Sequence, residues 1–119
     1  MILVDTSVWI RHFRSQNLSL VSLLEENRVA IHEFVIGELA CGQLKYRDEI
    51  LSLLNALPKL DTLPYDDVLF LIQKRKLFGS GIGWIDSHLL AAAIDAGSQL
   101  WTFDKSLKNV AKKCSAQFE

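Results

Sequence analysis

The chain has 119 residues, 50% of them hydrophobic and 23% charged, with a formal net charge of −1 at pH 7. That size and apolar content predict one domain over residues 1–119 and exclude a disordered chain, while the missing basic bias leaves any nucleic-acid partner to be held by local patches. No apolar run reaches the roughly 18 residues of a membrane-crossing helix, Asp5 interrupts any leader-like start, and Cys41 and Cys114 form no CxxC pair, so the reading is a reduced, cytoplasmic protein with no membrane partner.

In chain order, "ILV" followed by Asp5 reads as a short buried strand ending in a carboxylate. Thr6 or Ser7 can cap a helix over 7–14, and a second helix fits 18–27 with Leu20, Leu23 and Leu24 at helical spacing. "RVAIH" (28–32) is rich in β-branched residues and predicts a strand; a helix over 33–43 follows, ended by Gly42, and another over 46–56. "LPKLDTLP" (57–64) carries both prolines and reads as a turn with a short strand near 60–63 in preference to an interdomain linker. A helix fits 65–78, "GSGIG" (79–83) reads as a flexible loop, and 85–96 is a helix apolar nearly all round, hence buried. "QLWTF" (99–103) predicts a strand, 105–112 a helix and 115–118 an edge strand. Strands alternating with helices predict an α/β fold, a mainly parallel sheet of four to five short strands covered on both faces. Ligands of such sheets sit outside the carboxyl ends of the strands.

Four acids stand out against that frame. Asp5 and Asp104 each end a strand, Glu38 interrupts the apolar helix "FVIGELACG", and Asp86 lies in the first turn of "WIDSHLLAAA". Taken singly, each has an ordinary explanation: helix caps for Asp5 and Asp86, a solvated helix position for Glu38, a turn former in Asp104. Taken together, they border one sheet edge. Clustered carboxylates repel, at about 4 kcal/mol for a pair ~4 Å apart at an effective dielectric of about 20, so either some protonate or a cation sits among them. Oxygen-only ligands suit Mg2+ or Mn2+, and no Cys or His spacing suggests zinc.

"VDTSVWI", the Glu of "VIGELACG", "IGWIDSHLLAAA" and "LWTFDKSL", in this order over nearly the whole chain, resemble a PIN domain, and more closely a VapC-type toxin ribonuclease of a toxin–antitoxin pair. The resemblance implies a three-layer α/β/α sandwich, Asp5, Glu38, Asp86 and Asp104 as the catalytic, metal-binding set, and support from Thr6, Ser7 and Thr102. It also implies Mg2+- or Mn2+-dependent endoribonuclease activity on tRNA or rRNA, a homodimer, and an antitoxin protein as partner. The chemistry expected is hydrolysis of an RNA phosphodiester by metal-activated water.

RNA grip requires positive charge near the site, and Arg11 and Lys105 are the closest candidates, with Lys74, Arg75 and Lys76 as a second group. His12, His32 and His88 read as packing or surface residues. Trp9, Trp84 and Trp101 read as core, with a rim position stacking on a base as the second reading for Trp84. Two alternatives compete. A haloacid-dehalogenase-like phosphatase needs DxD after the first strand, where this chain has Asp5-Thr6-Ser7. A catalytically inactive PIN-like scaffold would have no need of the intact acidic set.

Overall fold

The computed structural model describes residues 1–118; the predicted domain span also includes Glu119, which lies outside the described residues. The elements are β1 (Ile2–Val4), α1 (Thr6–Arg14), α2 (Leu18–Glu25), β2 (Val29–Ala30), α3 (Glu33–Cys41), α4 (Arg47–Asn55), α5 (Tyr65–Lys74), α6 (Trp84–Ala96), β3 (Gln99–Trp101) and α7 (Lys105–Lys113). The sheet is parallel throughout, in the order β2-β1-β3, with Leu3 opposite Ala30 on one side and Leu100 on the other. Every residue of β1 is buried, because a central parallel strand has helices over both faces. The burial of Leu3, Leu20, Leu89, Leu90 and Leu107 contributes about 1.5–3 kcal/mol each to folding. Around the sheet α1 packs on α3, α3 on α4, α5 on α6, and α6 on β3, a three-layer α/β/α arrangement.

The sheet is narrower than the four to five strands expected. In place of the strands expected near 60–63 and over 115–118, the chain makes single bridges at the two edges, Ile31 with Lys59, just before 60–63, and Leu100 with Gln117. Ile31 N–H bonds to Pro58 O and Leu60 N–H to Ile31 O, both at 2.8 Å. Pro58 has no N–H to extend the ladder in one direction, and in the other the chain enters α3 at Glu33, so the pairing stops at one bridge. At the other edge Ser115 takes a left-handed backbone (φ 56), turning the chain onto Leu100 for one pairing only. Residues 57–64 thus run along the sheet edge.

Helix boundaries fall within a few residues of expectation. The largest difference is α5, which stops at Lys74, four residues short of 78. Lys76 turns left-handed (φ 54) and Leu77 N–H bonds back to Ile72 O at 2.9 Å, which brings the Leu77 side chain into the core. The apolar helix α6 is buried from Ser87 to Ala93, as predicted.

"GSGIG" is anchored at three points. Ser80 N–H bonds to Leu77 O, the backbone at Gly81 lies against Ser106 of α7, and Gly83 N–H bonds to Asp86. Trp9 and Trp101 are core residues as expected, but Trp84 is 39% exposed, a correction to its core reading. It opens α6 on the surface with its ring edge-on to His88 (4.6 Å) and beside Tyr65 (5.4 Å).

Candidate active site

The site is built around the carboxyl ends of β1 and β3. Asp5 follows β1, donates its N–H to Trp101 O (2.9 Å) and caps α1. It is only 6% exposed, and a buried carboxylate requires donors. It has three, all on Oδ2: Thr102 Oγ1 at 2.7 Å, Ser7 Oγ at 2.8 Å and Ser7 N at 3.4 Å. Each hydroxyl has one hydrogen, and both are spent on Asp5. Their lone pairs then accept from the next strand's turn: Phe103 N–H reaches Ser7 Oγ and Asp104 N–H reaches Thr102 Oγ1, both at 3.0 Å. Two hydroxyls therefore join the end of β1 to the start of α7.

The other three acids come from three other elements. Asp104 caps α7, its Oδ2 accepting from Leu107 N–H at 2.9 Å. Asp86, the third residue of α6, accepts on Oδ2 from Gly83 N–H at 3.3 Å. Glu38 projects from α3 toward α1, where Thr6 Oγ1 donates to its Oε1 at 2.8 Å. The ordinary roles of Asp5, Asp86 and Asp104 in helix termini are thus present. A common pattern adds to them: among the described residues each of the four carboxylates bonds through one oxygen and leaves the other without a protein hydrogen bond.

Asp86 senses the other three. Burial raises the Asp86 carboxyl above its ordinary value, the Gly83 N–H draws it back, and the charges of Asp5, Asp104 and Glu38 raise it further. Both ion pairs among the described residues lie elsewhere, Arg28–Glu26 at 3.7 Å and Arg47–Asp48 at 3.6 Å. Nor do three or more of the acids close into a ready-made metal cage among the described residues. Each is tethered to its own helix terminus or neighbour, which keeps the like charges apart.

Of the expected RNA-contacting cations, Arg11 is exposed on α1 with its guanidinium 4.0 Å from the centroid of Phe103, which lies between Thr102 and Asp104. Lys105 is the exposed first residue of α7. Lys74 and Arg75 line a separate groove of about 340 Å³ between α5 and α6. Phe103 joins the site without a charge or motif of its own in the sequence; its place inside the "TFD" triplet is the one signal it carries. The histidines are packing residues. His32 is fully buried and caps α3, its Nδ1 accepting from Phe34 N–H at 3.0 Å, and burial lowers the pKa of His12, His32 and His88.

A family model described as "PIN domain" matches residues 2–113. The chain belongs to the PIN-domain family. This PIN domain is 47% identical over 109 residues to Ribonuclease VapC32 of Mycobacterium tuberculosis, in strain CDC 1551 / Oshkosh and in strain ATCC 25618 / H37Rv, the match covering 91% of this chain and 88% of that protein. It is therefore a PIN domain of the VapC type. The crystal structure of PAE2754 from Pyrobaculum aerophilum has the same fold, with a TM-score of 0.59 at 19% identity, covering 98% of this chain and 90% of that one. Family membership displaces the haloacid-dehalogenase-like alternative. Among the described residues no helix is long and apolar enough to cross a membrane.

Proposed function

We propose that this PIN domain is the toxin of a toxin–antitoxin pair: a cytoplasmic Mg2+- or Mn2+-dependent endoribonuclease, its residues 1–119 acting as one domain. Its substrate is RNA, of the tRNA or rRNA class, and its partners are a second copy of itself and a cognate antitoxin. What supports the reading is that Asp5, Glu38, Asp86 and Asp104 come from four separate elements and each keeps one carboxylate oxygen outside its protein hydrogen bond, beside a rise of the Asp86 carboxyl caused first by burial and then by the other three charges. The likeness to a protein named Ribonuclease VapC32 supports it. Free Cys41 and Cys114 agree with a reducing compartment, and exposed apolar side chains on α5 and α6, among them Phe70 and Trp84, agree with a self-associating chain.

The residues fit a hard divalent cation. All donors are carboxylate oxygens, each acid keeps one oxygen outside its protein hydrogen bond, and the tethers preorganise the rest of each side chain. Asp5 and Asp104 would hold the ion, with Asp86 and Glu38 completing the set directly or through water. When bound, such an ion acidifies a water, polarises a phosphoryl oxygen and neutralises the leaving oxygen. The chain supplies the rest. Ser7 and Thr102 keep Asp5 in one orientation through Oδ2, and Thr6 does the same for Glu38. Arg11 and Lys105 flank the acids and grip phosphates on either side of the scissile one, without touching the reacting atoms.

The test is cleavage of purified tRNA and rRNA by wild type and Asp5→Asn, with Mg2+, with Mn2+ and with chelator. Cleavage by wild type alone, and only with metal, is expected. Wild type inert under all conditions would favour the inactive scaffold, and cleavage that survives chelator would remove the metal from the reading.

A further inference from the structure

Apart from the Gly83 N–H that holds Asp86, the loop 79–83 has no part in the chemistry above. Gly79 and Gly81 both take left-handed backbone, φ 73 and φ 91. Their surroundings differ. A Cβ at Gly79 would meet nothing within 4 Å. A Cβ at Gly81 would sit 2.7 Å from Ser106 Oγ and 3.3 Å from Ser106 Cβ, so the hydroxyl would have to swing away and the two segments separate by several tenths of an ångström.

The place of this contact gives it meaning. Gly81 is two residues before Gly83, whose N–H holds Asp86 Oδ2. Ser106 is two residues after Asp104 and sits in the first turn that Asp104 caps. The Gly81–Ser106 contact is thus a direct bridge between the segment that orients Asp86 and the segment that orients Asp104. The alternative connection runs through α6, β3 and the sheet, a much longer path.

We propose that Gly81 is a positioning residue: by letting the loop lie directly against Ser106 it sets the spacing of Asp86 from Asp104. This rests on the metal-dependent reading above, because the spacing matters only if both acids serve one site. Small errors in such spacing are costly, since groups that orient metal ligands change affinity by about 10–100-fold when altered.

The experiment uses the full chain and reads Mn2+ binding by calorimetry, beside metal-free unfolding. Gly79→Ala and Gly81→Ala both place a side chain in left-handed backbone, so both should lose stability, but only Gly81→Ala presses on Ser106. Gly81→Ala is expected to bind Mn2+ about tenfold more weakly, and Gly79→Ala to bind as wild type does. Adding Ser106→Gly to Gly81→Ala should restore most of the affinity, judged against Ser106→Gly alone. If Gly81→Ala does not fold, Ser106→Thr presses on the same contact from the other side and should weaken Mn2+ binding in the same sense. Equal Mn2+ affinity in Gly79→Ala and Gly81→Ala, or in wild type and Ser106→Thr, overturns the proposal while leaving the metal reading intact. No Mn2+ binding by wild type overturns both.

Discussion

The Thr102 hydroxyl donates to Asp5 Oδ2 at 2.7 Å across 97 residues of sequence, and Thr102 Oγ1 in turn accepts the N–H of Asp104 at 3.0 Å. One side chain thus satisfies a buried carboxylate and sets the backbone of a second acid. Thr102→Val keeps the shape, strips a donor from Asp5 and leaves the Asp104 N–H without its partner. The expected loss is about 1–3 kcal/mol in urea unfolding of the metal-free protein, the usual cost of unsatisfying a buried polar group. Thr102→Ser should retain most of the stability. A valine variant as stable as wild type would mean that Ser7 alone holds Asp5.

Metal should stabilise the fold. An ion that binds only the folded state adds RT ln(1 + [L]/Kd), about 2.7 kcal/mol at a hundredfold excess over Kd, enough to raise Tm by several degrees in a domain of this size. Differential scanning fluorimetry with Mn2+ should show this rise in wild type and its loss in Asp5→Asn. A flat response in wild type would mean that the four acids do not act as one ligand set.

The Asp86 carboxyl gives a pH signature of definite sign. Its folded pKa lies above the ordinary 3.8, first through burial and then through the other acids. Between 3.8 and the raised value the folded state binds more protons than the unfolded one, so stability falls as pH rises. This contribution is fully present below the unfolded pKa and is lost as pH passes through the folded one. The histidines act oppositely nearer neutrality: desolvation holds the folded pKa of His12, His32 and His88 below 6.5, so the stability they contribute is lost as pH falls through that region. The difference between wild type and Asp86→Asn, measured with chelator present, isolates the acid. Wild type should become less stable relative to the variant as pH rises, then level off. A difference independent of pH would contradict the raised Asp86 carboxyl.

Arg11 and Lys105 should matter for grip more than for the chemical step. Each contact with a phosphate releases counterions, so its loss should reduce the slope of log K against log salt by about 0.7 for single-stranded RNA. Arg11→Ala also gives up the guanidinium–ring contact with Phe103, about 0.5–1 kcal/mol at an exposed site. Affinity for an RNA fragment over a salt series, in an Asp5→Asn background that does not cleave, gives the slope; single-turnover cleavage at saturating RNA in the single variants should fall only modestly. An unchanged slope in both would move the RNA path toward Lys74, Arg75 and Lys76.

Much of this architecture could be read from residues because local and global signals agree. "ILV" before Asp5 and "LW" before "TFD" are short buried apolar runs, which in a small α/β chain read as strands of a covered parallel sheet, and both acids lie beyond carboxyl ends of adjacent strands. The edges were harder. Lys59 and Gln117 reach the sheet through backbone at a single pairing, and one bridge leaves no side-chain periodicity to detect. Trp84 misled because an aromatic residue opening an apolar helix looks like core, whereas its position in the first turn places it at the rim. The glycine loop looked merely flexible: its composition reports the left-handed turns, but not that Ser106, 25 residues later, lies against it. Residue type also gives no warning that each acid would be tethered by one oxygen, since that depends on where neighbouring hydroxyls and helix termini fall.

Placing β1 at the centre of the sheet has a consequence for the order of events at the ribosome. β1 is made before both of its neighbours and can pair with β2 first, but its other edge stays open until residues 99–101 arrive. Until then Asp5 has no Thr102 to hold it, and Asp104, with the turn it caps, does not yet exist. A chain released early, short of Thr102, would carry two of the acids on helices and a third on an unpaired strand edge, with no assembled centre. The four acids are therefore brought together only once Thr102 and Asp104 have been made, and translation products that stop short of them would lack the proposed centre.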